Sequence, residues 1–368
     1  MRYNTYKLEQ IAKIKYGKNQ KKVQSENGII PIYGTGGLMG YATQALYDKA
    51  SVLIGRKGTI DKVRYVEHPF WTVDTLFYTE INTELVYPKF LYYLMLQLDL
   101  NKYNEGTTIP SLRTETLNRL EFNVPDKGIQ KKILDIIEPI EEKIKINEEI
   151  NDNLSQQIQL IYDNLADGLT GDPVNLSSII DVRDGTHDSP KAVDEGFPLV
   201  TSKHLLPYGV DLSTANLISK EDFDKTNERS IVETHDILIS MIGTVGLISL
   251  VIDNPVPFAI KNVGLFKTSK FPELYAYILT YLRSTKTTQH IEKTLAGSTQ
   301  KYISLSELRK MPIILPDENQ LNDFNSIVVP LIMQITNLTE ENKRLAKLRD
   351  TLLPKLMSGE FDISDIDI

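Results

Sequence analysis

Hydrophobic residues recur every three or four positions along a segment near the middle of the chain. The intervals alternate between four and three residues in two runs, the first at Ile133, Ile137, Ile140 and Ile144 and the second at Leu154, Ile158, Ile161 and Leu165. This is a heptad pattern, typical of a helix that buries one apolar stripe against another helix. It predicts a helix of about 40 residues, roughly 60 Å long.

A second segment near the end of the chain repeats the first. When the chain is shifted by 191 residues, residues 106–168 superpose on residues 297–359 without a gap. Ile137 then falls on Val328, and the other apolar positions also match. Neither helix can bury its stripe alone, so the repeat predicts that the helices pack against each other. An antiparallel arrangement gives both copies equivalent contacts.

Polar residues interrupt the apolar stripe at its centre. Asn147 and Asn151 lie there in the first helix, and Leu338 and Asn342 occupy the matching positions in the second. A buried asparagine commonly fixes the register of paired helices at some cost in stability. The matched pair Asn151 and Asn342 is therefore predicted to set the helix register. The alternative is an exposed or otherwise satisfied polar residue.

The segments before the two helices have the pattern of mixed α and β domains. Short apolar runs bounded by glycines, at residues 51–54 and 236–239, predict buried strands. Residues 90–98 and 274–282 predict one buried helix in each domain. The predicted fold class is α+β, with two α/β domains separated by two long antiparallel coiled-coil helices in a pseudo-two-fold repeat. The predicted domains are residues 1–125 and 169–316, the helices 126–168 and 317–359, and the tail 360–368.

Composition narrows the class of protein. The chain has 368 residues, of which 41% are hydrophobic and 24% charged, as in ordinary globular proteins of two or three domains. It has no cysteine, which excludes disulfides and thiolate-bound metals. The beginning of the chain has no apolar stretch of signal-peptide length, and residues 90–98 are too few to span a bilayer. These features predict a cytoplasmic protein without a membrane segment.

Sequence motifs give little support to catalysis. Gly34 and Gly36 lack the third glycine of a dinucleotide loop, and the sequence has no P-loop motif. Val256 interrupts a string that is otherwise similar to the Asn-Pro-Pro-aromatic motif of amino-methyltransferases. The five histidines have no metal-ligand spacing. No catalytic residue and no metal site are predicted.

The net charge of −8 argues against a generic nucleic-acid binder, because phosphate neutralisation needs excess lysine and arginine. The acidic residues, however, lie mainly on the predicted helices. Basic clusters remain in the first domain, at Lys13, Lys15, Lys18, Lys21, Lys22, Arg56, Lys57, Lys62 and Arg64. Two similar domains of this kind suit the reading of two half-sites on a DNA duplex.

Several strings resemble the target-recognition domains of type I restriction–modification specificity subunits. In the first domain they are Ile30-Pro31-Ile32-Tyr33-Gly34-Thr35-Gly36-Gly37, Ile54-Gly55-Arg56-Lys57-Gly58-Thr59-Ile60 and Trp71-Thr72-Val73-Asp74-Thr75. The second domain has a divergent version, with Gly185-Thr186-His187, Gly243-Thr244-Val245-Gly246 and Gly297-Ser298-Thr299. The closing Leu352-Leu353-Pro354-Lys355-Leu356 is also similar to the family's usual end. The resemblance covers essentially the whole chain.

The resemblance implies a subunit without catalysis of its own. In that family each recognition domain reads one half of a bipartite double-stranded DNA target, and the helices set the spacer and dock the methyltransferase. The implied partners are two methyltransferase subunits that use S-adenosylmethionine, together with restriction-translocation subunits that use ATP and Mg²⁺. The alternatives are a self-sufficient DNA methyltransferase and a coiled-coil adaptor that binds proteins.

Candidate DNA contacts combine long cationic side chains with Gly-Thr turns. Arg56 and Lys57, beside Thr59, suit a major-groove contact, and the hydroxyl-rich loops suit phosphate. Gly-Thr turns and surface lysines are also common without any ligand. The full candidate set is Tyr33, Thr35, Gly36, Arg56, Lys57, Thr59, Thr107, Thr108, Thr186, His187, Lys203, Thr244, Ser298 and Thr299.

Overall fold

The computed structural model describes residues 3–297 and 301–364. The chain divides into two compact units. Unit 1 comprises the residues up to Ile144 and those from Arg344 onward, and unit 2 is Lys145–Lys343. Among the described residues, no helix is both long enough and apolar enough to cross a membrane.

Unit 1 begins with eight strands, interrupted by one short helix. Its strands are β1 (Tyr3–Lys7), β2 (Ala12–Tyr16), β3 (Ile30–Gly34), β4 (Gly37–Ala42), β5 (Ser51–Gly55), β6 (Val63–Val66), β7 (Trp71–Thr72), β8 (Leu76–Ile81) and β9 (Glu121–Pro125). Its helices are α1 (Leu8–Ile11), α2 (Pro88–Leu96), α3 (Thr114–Asn118) and the first part of α4 (Lys127–Gly168).

Unit 2 repeats the order of the strands, but two of its helices have no α-helical counterpart among the described residues of unit 1. Its strands are β10 (Val174–Asn175), β11 (Val182–Asp184), β12 (Phe197–Val200), β13 (Asn216–Ile218), β14 (Ile237–Ser240), β15 (Ile248–Leu250), β16 (Ala259–Ile260), β17 (Val263–Phe266) and β18 (Pro312–Ile313). Its helices are α5 (Lys220–Ser230), α6 (Tyr275–Arg283), α7 (Thr285–Thr294), α8 (Leu305–Arg309) and the first part of α9 (Glu318–Ser358).

The sheets of the two units have the same topology. In unit 1 an antiparallel sheet has the strand order β2-β8-β5-β6, and in unit 2 the order β11-β17-β14-β15. A smaller sheet has the order β4-β3-β7 in unit 1 and β13-β12-β16 in unit 2. The pairs β3-β7 and β12-β16 are parallel in both. The internal repeat seen in the sequence is therefore a repeat of the fold.

The buried elements predicted inside each domain are confirmed within one or two residues. Strand β5 is buried along its whole length, and so is β14. Helix α2 starts at Pro88, where the missing N–H of proline costs no hydrogen bond. Helix α6 is buried from Tyr275 to Leu282, which explains why its sequence is apolar around its whole circumference.

The long helices α4 and α9 pack together inside each unit. In unit 1, Ile133 and Ile137 of α4 share a core with Leu353 and Leu356 of α9. In unit 2, the predicted α4 positions continue into a separate core with the first half of α9, through Leu154, Ile158, Phe324 and Val328. The predicted apolar stripe is therefore the packed face of α4.

Polar residues at the centre of the helix pair reveal its direction in unit 2. Asn147 is fully buried and donates from Nδ2 to Glu341 Oε2 at 2.7 Å and to Asn342 Oδ1 at 2.8 Å. Asn151, one turn further along α4, donates to Thr339 Oγ1 at 3.4 Å. The helices are thus antiparallel, as predicted. Asn342 is hydrogen-bonded to Asn147, and a register role for the matched pair Asn151 and Asn342 stays a prediction.

Candidate nucleic-acid interface

The turn after β5 in unit 1 carries the predicted residues Arg56, Lys57 and Thr59. The backbone N–H groups of Arg56 and Lys57 donate to the carbonyl oxygen of Thr75 at 2.9 and 3.2 Å. Gly58 has a φ of +89°, in the left-handed region that glycine adopts at little cost. The turn is therefore held in one conformation against the residue before β8, with Lys57 exposed.

Two contacts position the Arg56 side chain. Its guanidinium lies over the ring of Tyr16, with 5.1 Å between its central carbon and the ring centroid. One Nη of Arg56 donates to the carbonyl oxygen of Asp74 at 3.0 Å. A cation over an aromatic ring is attracted by the electron density of the ring face. The arginine is therefore oriented but only half-buried.

The loop with the predicted Thr107 and Thr108 borders this turn. The Gly58 N–H donates to the carbonyl oxygen of Pro110 at 2.9 Å. Asn104 closes the loop, because its Oδ1 accepts backbone N–H groups at both ends of it, each at 2.9 Å. Both threonines are exposed. Thr107 and Thr108 are some 50 residues from Arg56 along the chain, but in the fold the loop that carries them lies beside the turn of Arg56.

The turn between β3 and β4 is the third part of this surface. Thr35 and the exposed Gly36 form the turn, and a Cβ atom at Gly58 would lie 3.9 Å from Thr35 Oγ1. Tyr33 contributes differently, because its hydroxyl lies 3.3 Å from His68 Nε2. Burial raises the pKa of Tyr33 above its ordinary value.

We call the group that the fold brings together the Arg56 surface. Beside it is an open cavity of about 470 Å³, whose lining includes Gln20, Met39 and Thr75. Cations, hydroxyls and backbone amides on one surface suit a polyanion with polar base edges. The Arg56 surface consists of Thr35, Gly36, Arg56, Lys57, Thr107 and Thr108.

The equivalent turn in unit 2 has a different chemistry. In unit 1 the Leu112 N–H donates to the carbonyl oxygen of Arg56 at 2.9 Å, and in unit 2 the Ile303 N–H donates to that of Met241 at 3.0 Å. Since residues 112 and 303 are repeat partners, Met241 occupies the place of Arg56. The predicted Gly-Thr match is thus present, but its arginine is not.

The other predicted residues of unit 2 are spread over several loops. Thr244 is exposed in the turn after β14, and Lys203 is exposed in a short helical turn. His204, beside Lys203, is buried, and burial lowers its pKa. Its Nδ1 accepts a backbone N–H at 2.9 Å, so it stabilises the turn. Ser298 and Thr299 lie outside the described residues.

Thr186 and His187 follow β11 and are held closely. The Thr186 N–H donates to the carbonyl oxygen of Ile260 at 3.0 Å. The ring of His187 is fixed on both sides, with Nδ1 2.7 Å from Asn262 Oδ1 and Nε2 3.1 Å from Asp184 Oδ2. Asp184 is only 4% exposed. His187 is therefore an exposed side chain that contacts a buried carboxylate.

Helix α5 supplies side chains that the sequence did not single out. Arg229 forms an ion pair with Asp184, beside His187. Lys225, one turn earlier, lines the same cavity of about 490 Å³. The spacing of Lys225 and Arg229 places them on one helix face, but a polar helix of this length is usually solvated. Arg229 is identified by its tertiary contact to Asp184, and Lys225 by the cavity that it lines with Arg229. Within residues 3–297 and 301–364, no His, Asp and Glu side chains are grouped as a metal site would require.

Comparison with known proteins agrees with this geometry. The family model described as type I restriction modification DNA specificity domain matches residues 2–156 and 173–346. The chain is 25% identical over 352 residues to the type I restriction enzyme MjaIX specificity subunit of Methanocaldococcus jannaschii, covering 87% of this chain and 80% of the relative. It is 24% identical over 366 residues to the HindI specificity subunit of Haemophilus influenzae, covering 77% and 79%.

A solved structure shares the fold. The crystal structure of a type I restriction–modification system S subunit from M. genitalium superposes with a TM-score of 0.58 at 17% identity, covering 96% of both chains. The predicted architecture, two mixed α and β domains with two long helices that pack together, is confirmed. The two matched segments of the family model fall on the two repeats. The chain therefore belongs to the family of type I restriction–modification DNA specificity domains, as its sequence predicted.

Proposed function

We propose that the chain is the DNA-reading subunit of a type I restriction–modification assembly, in which units 1 and 2 each read one half of a bipartite double-stranded target. The observation that carries this proposal is the repeat of one scaffold with different side chains at equivalent places. Arg56 of unit 1 corresponds to Met241 of unit 2, in turns with the same hydrogen bond to a neighbouring loop. Sheets of the same topology that carry different side chains at equivalent places recognise different half-sites.

The Arg56 surface has the chemistry for such reading. A guanidinium donates to two guanine acceptors in the major groove, and exposed hydroxyls and amides approach phosphates. Tyr16 and Asp74 hold Arg56 before DNA arrives, which reduces the entropy lost on binding. In a chain with a net charge of −8, binding then depends on local contacts more than on overall charge.

Catalysis belongs to the partners in this proposal. Two methyltransferase subunits dock on the long helices and use S-adenosylmethionine, and restriction-translocation subunits use ATP and Mg²⁺. The chain itself needs none of these cofactors, and the assembly works in the cytoplasm. The packed pair α4 and α9 sets the unspecified spacer between the half-sites.

Methylome sequencing tests the proposal directly. Cells that express the chain with its methyltransferase should carry one modified bipartite site, whereas a self-sufficient methyltransferase would modify DNA without the partner. An adaptor that binds only proteins would produce no modified site in either case. A missing bipartite site in cells with both proteins would overturn the proposal.

The Arg56→Ala variant refines the test. It should relax one base pair of one half-site and leave the other half-site intact, with about tenfold less discrimination at that base pair. Lys15→Ala is the matched control, since it removes one positive charge from the residue next to Tyr16, on the opposite face of β2. Equal effects of the two variants would contradict a base contact by Arg56.

A further inference from the structure

The last residue of β2 and the last residue of β11 occupy the same place in their units. Tyr16 is followed by Gly17, whose N–H donates to the carbonyl oxygen of Leu76 at 3.0 Å. Asp184 is followed by Gly185, whose N–H donates to that of Val263 at 2.9 Å. Leu76 and Val263 are the first residues of β8 and β17, which pair with β2 and β11. Tyr16 and Asp184 are thus equivalent positions on the fold.

Each of these residues holds an arginine. The ring of Tyr16 lies under the guanidinium of Arg56. The carboxylate of Asp184 accepts a hydrogen bond from Arg229 through Oδ1 and contacts His187 through Oδ2. One anchor uses a ring face and the other a full negative charge. Both orient a guanidinium at the same edge of the sheet.

The two arginines come from different elements. Arg56 belongs to the turn after β5, and the equivalent turn in unit 2 has Met241 instead. Arg229 belongs to α5, a helix without a counterpart among the described residues of unit 1. Unit 2 thus has no arginine in this turn. Instead, Arg229 of α5 contacts Asp184, the residue that is equivalent to Tyr16.

Asp184 is buried, whereas the two side chains that it holds, Arg229 and His187, are exposed. The side chain of Asp184 is 6% exposed, whereas those of Arg229 and His187 are 66% and 65% exposed. A buried acceptor with two exposed partners fixes the direction of both without removing them from solvent. A preorganised guanidinium loses less side-chain entropy when it binds a planar partner.

The cavity around Arg229 also contains carboxylates. Asp188 and Asp222 line it together with Lys225, Thr186 and Ser189. A phosphate offers only acceptors, and carboxylates would repel it. The edges of base pairs in the major groove offer both acceptors and donors, including the amino groups of cytosine and adenine. The mixture of donors and acceptors therefore suits a base pair better than a phosphate.

We infer that Arg229 is the counterpart in unit 2 of Arg56, that it reads a base pair of the second half-site, and that Asp184 is its positioning residue. This inference rests on the proposed function and deepens it. A helix outside the repeat, α5, is then a source of sequence specificity in unit 2.

The test compares Arg229→Ala with wild type in the assembly with its methyltransferase, on duplexes that carry each single base change in the target. The variant should lose discrimination at one base pair of the second half-site by about tenfold or more, and keep every preference in the first. Arg56→Ala should give the converse pattern. Equal weakening on all duplexes, or unchanged discrimination, would overturn the inference.

Lys220→Ala is the matched control. It removes the same charge from the same helix, and nine residues along a helix turn by half a circle, so it lies on the opposite face from Arg229. Its ammonium group pairs with Asp224, away from Asp184. Its discrimination should equal that of wild type, and a loss equal to that of Arg229→Ala would refute the assignment.

Asp184→Asn tests the positioning role. It should reduce discrimination at the same base pair as Arg229→Ala, and by less. In the double variant it should add nothing, because the anchor then has no arginine to hold. Additive losses would show that Asp184 does not act through Arg229 and would refute its positioning role. If wild type has no bipartite preference, the proposed function fails; if it has one that Arg229→Ala leaves intact, only this inference fails.

Discussion

The four-stranded sheets of the two units each have a fully buried polar side chain at the same place, and its hydrogen bonds differ. In unit 1, the fully buried Ser51 donates to the carbonyl oxygen of Thr79 at 2.8 Å and accepts the Thr79 N–H at 2.9 Å. At the same place in unit 2, Asp236 is also fully buried and accepts from Lys267 Nζ at 2.6 Å. One unit uses neutral hydroxyls, and the other uses an ion pair.

This difference shows how far the units have diverged without loss of topology. A buried polar group is tolerated when its hydrogen bonds are made, whether it is neutral or charged. Asp236 also accepts the N–H groups of Glu233 and Ser269, at 2.8 and 3.0 Å. The interior of unit 2 thus contains a buried ion pair, whereas the equivalent position of unit 1 is neutral.

The largest expected effect comes from removing that charge. Asp236→Ala leaves the ammonium of Lys267, which is 1% exposed, with Glu233 as its carboxylate partner, and Glu233 is 51% exposed. It also removes the acceptor of two backbone N–H groups, so it should lower the free energy of unfolding of unit 2 by about 3–5 kcal/mol. Hydrogen exchange of the β14 and β17 amides measures it.

Ser51→Ala in unit 1 is the comparison, with an expected loss of about 1–2 kcal/mol, since it removes a neutral partner. Trp71 is the single tryptophan of the chain and is buried in unit 1, so its fluorescence reports that unit. A smaller loss for Asp236→Ala than for Ser51→Ala would contradict the distinction. Asp236→Leu combined with Lys267→Met should recover most of the stability, because it removes both charges.

Glycines at the ends of β2 and β11 test what the units share. A Cβ atom at Gly17 would lie 2.0 Å from the carbonyl oxygen of Val73, and one at Gly185 would lie 2.3 Å from that of Ile260. Both neighbours are backbone atoms that cannot turn away. Gly17→Ala and Gly185→Ala should each cost about 3 kcal/mol in their own unit, measured by Trp71 fluorescence and by hydrogen exchange of β17.

Gly36→Ala is the control, because a Cβ atom there would meet nothing within 4 Å. It should leave the stability of unit 1 nearly unchanged. If one of the two strand-end glycines tolerates alanine, the equivalence of Tyr16 and Asp184 loses its structural basis.

Local pattern predicted the parts of the fold that burial alone decides. Strands β5 and β14, helices α2 and α6 and the packed face of α4 follow from runs and periods of apolar residues. Arg229 could not be found this way, since α5 is absent from the repeat and its contact to Asp184 spans 45 residues of sequence. The proximity of Arg56 to the loop of Thr107 likewise depends on tertiary hydrogen bonds.

The register of the long helices shows a more specific limit. Alignment of the repeats matches Asn151 with Asn342, because both are at the same distance from the start of their helices. In an antiparallel pair, however, the neighbour of a residue moves back along α9 as one moves forward along α4. Asn342 consequently meets Asn147, whereas Asn151 reaches Thr339. A residue of α4 therefore contacts its own repeat partner only where the two counts along the helices cross, between Asn147 and Asn151.

The smallest expected effect separates these two asparagines. Asn147→Ala removes hydrogen bonds of 2.7 and 2.8 Å at a site with no solvent exposure, and should lower the free energy of unfolding of unit 2 by about 1–2 kcal/mol. Asn151→Ala removes a bond of 3.4 Å at a half-buried site and should cost about 0.5 kcal/mol. Hydrogen exchange of the α4 amides after Asn147 measures both. An equal or larger loss for Asn151→Ala would contradict this ranking, because the shorter and more deeply buried hydrogen bonds of Asn147 would then not be the stronger ones.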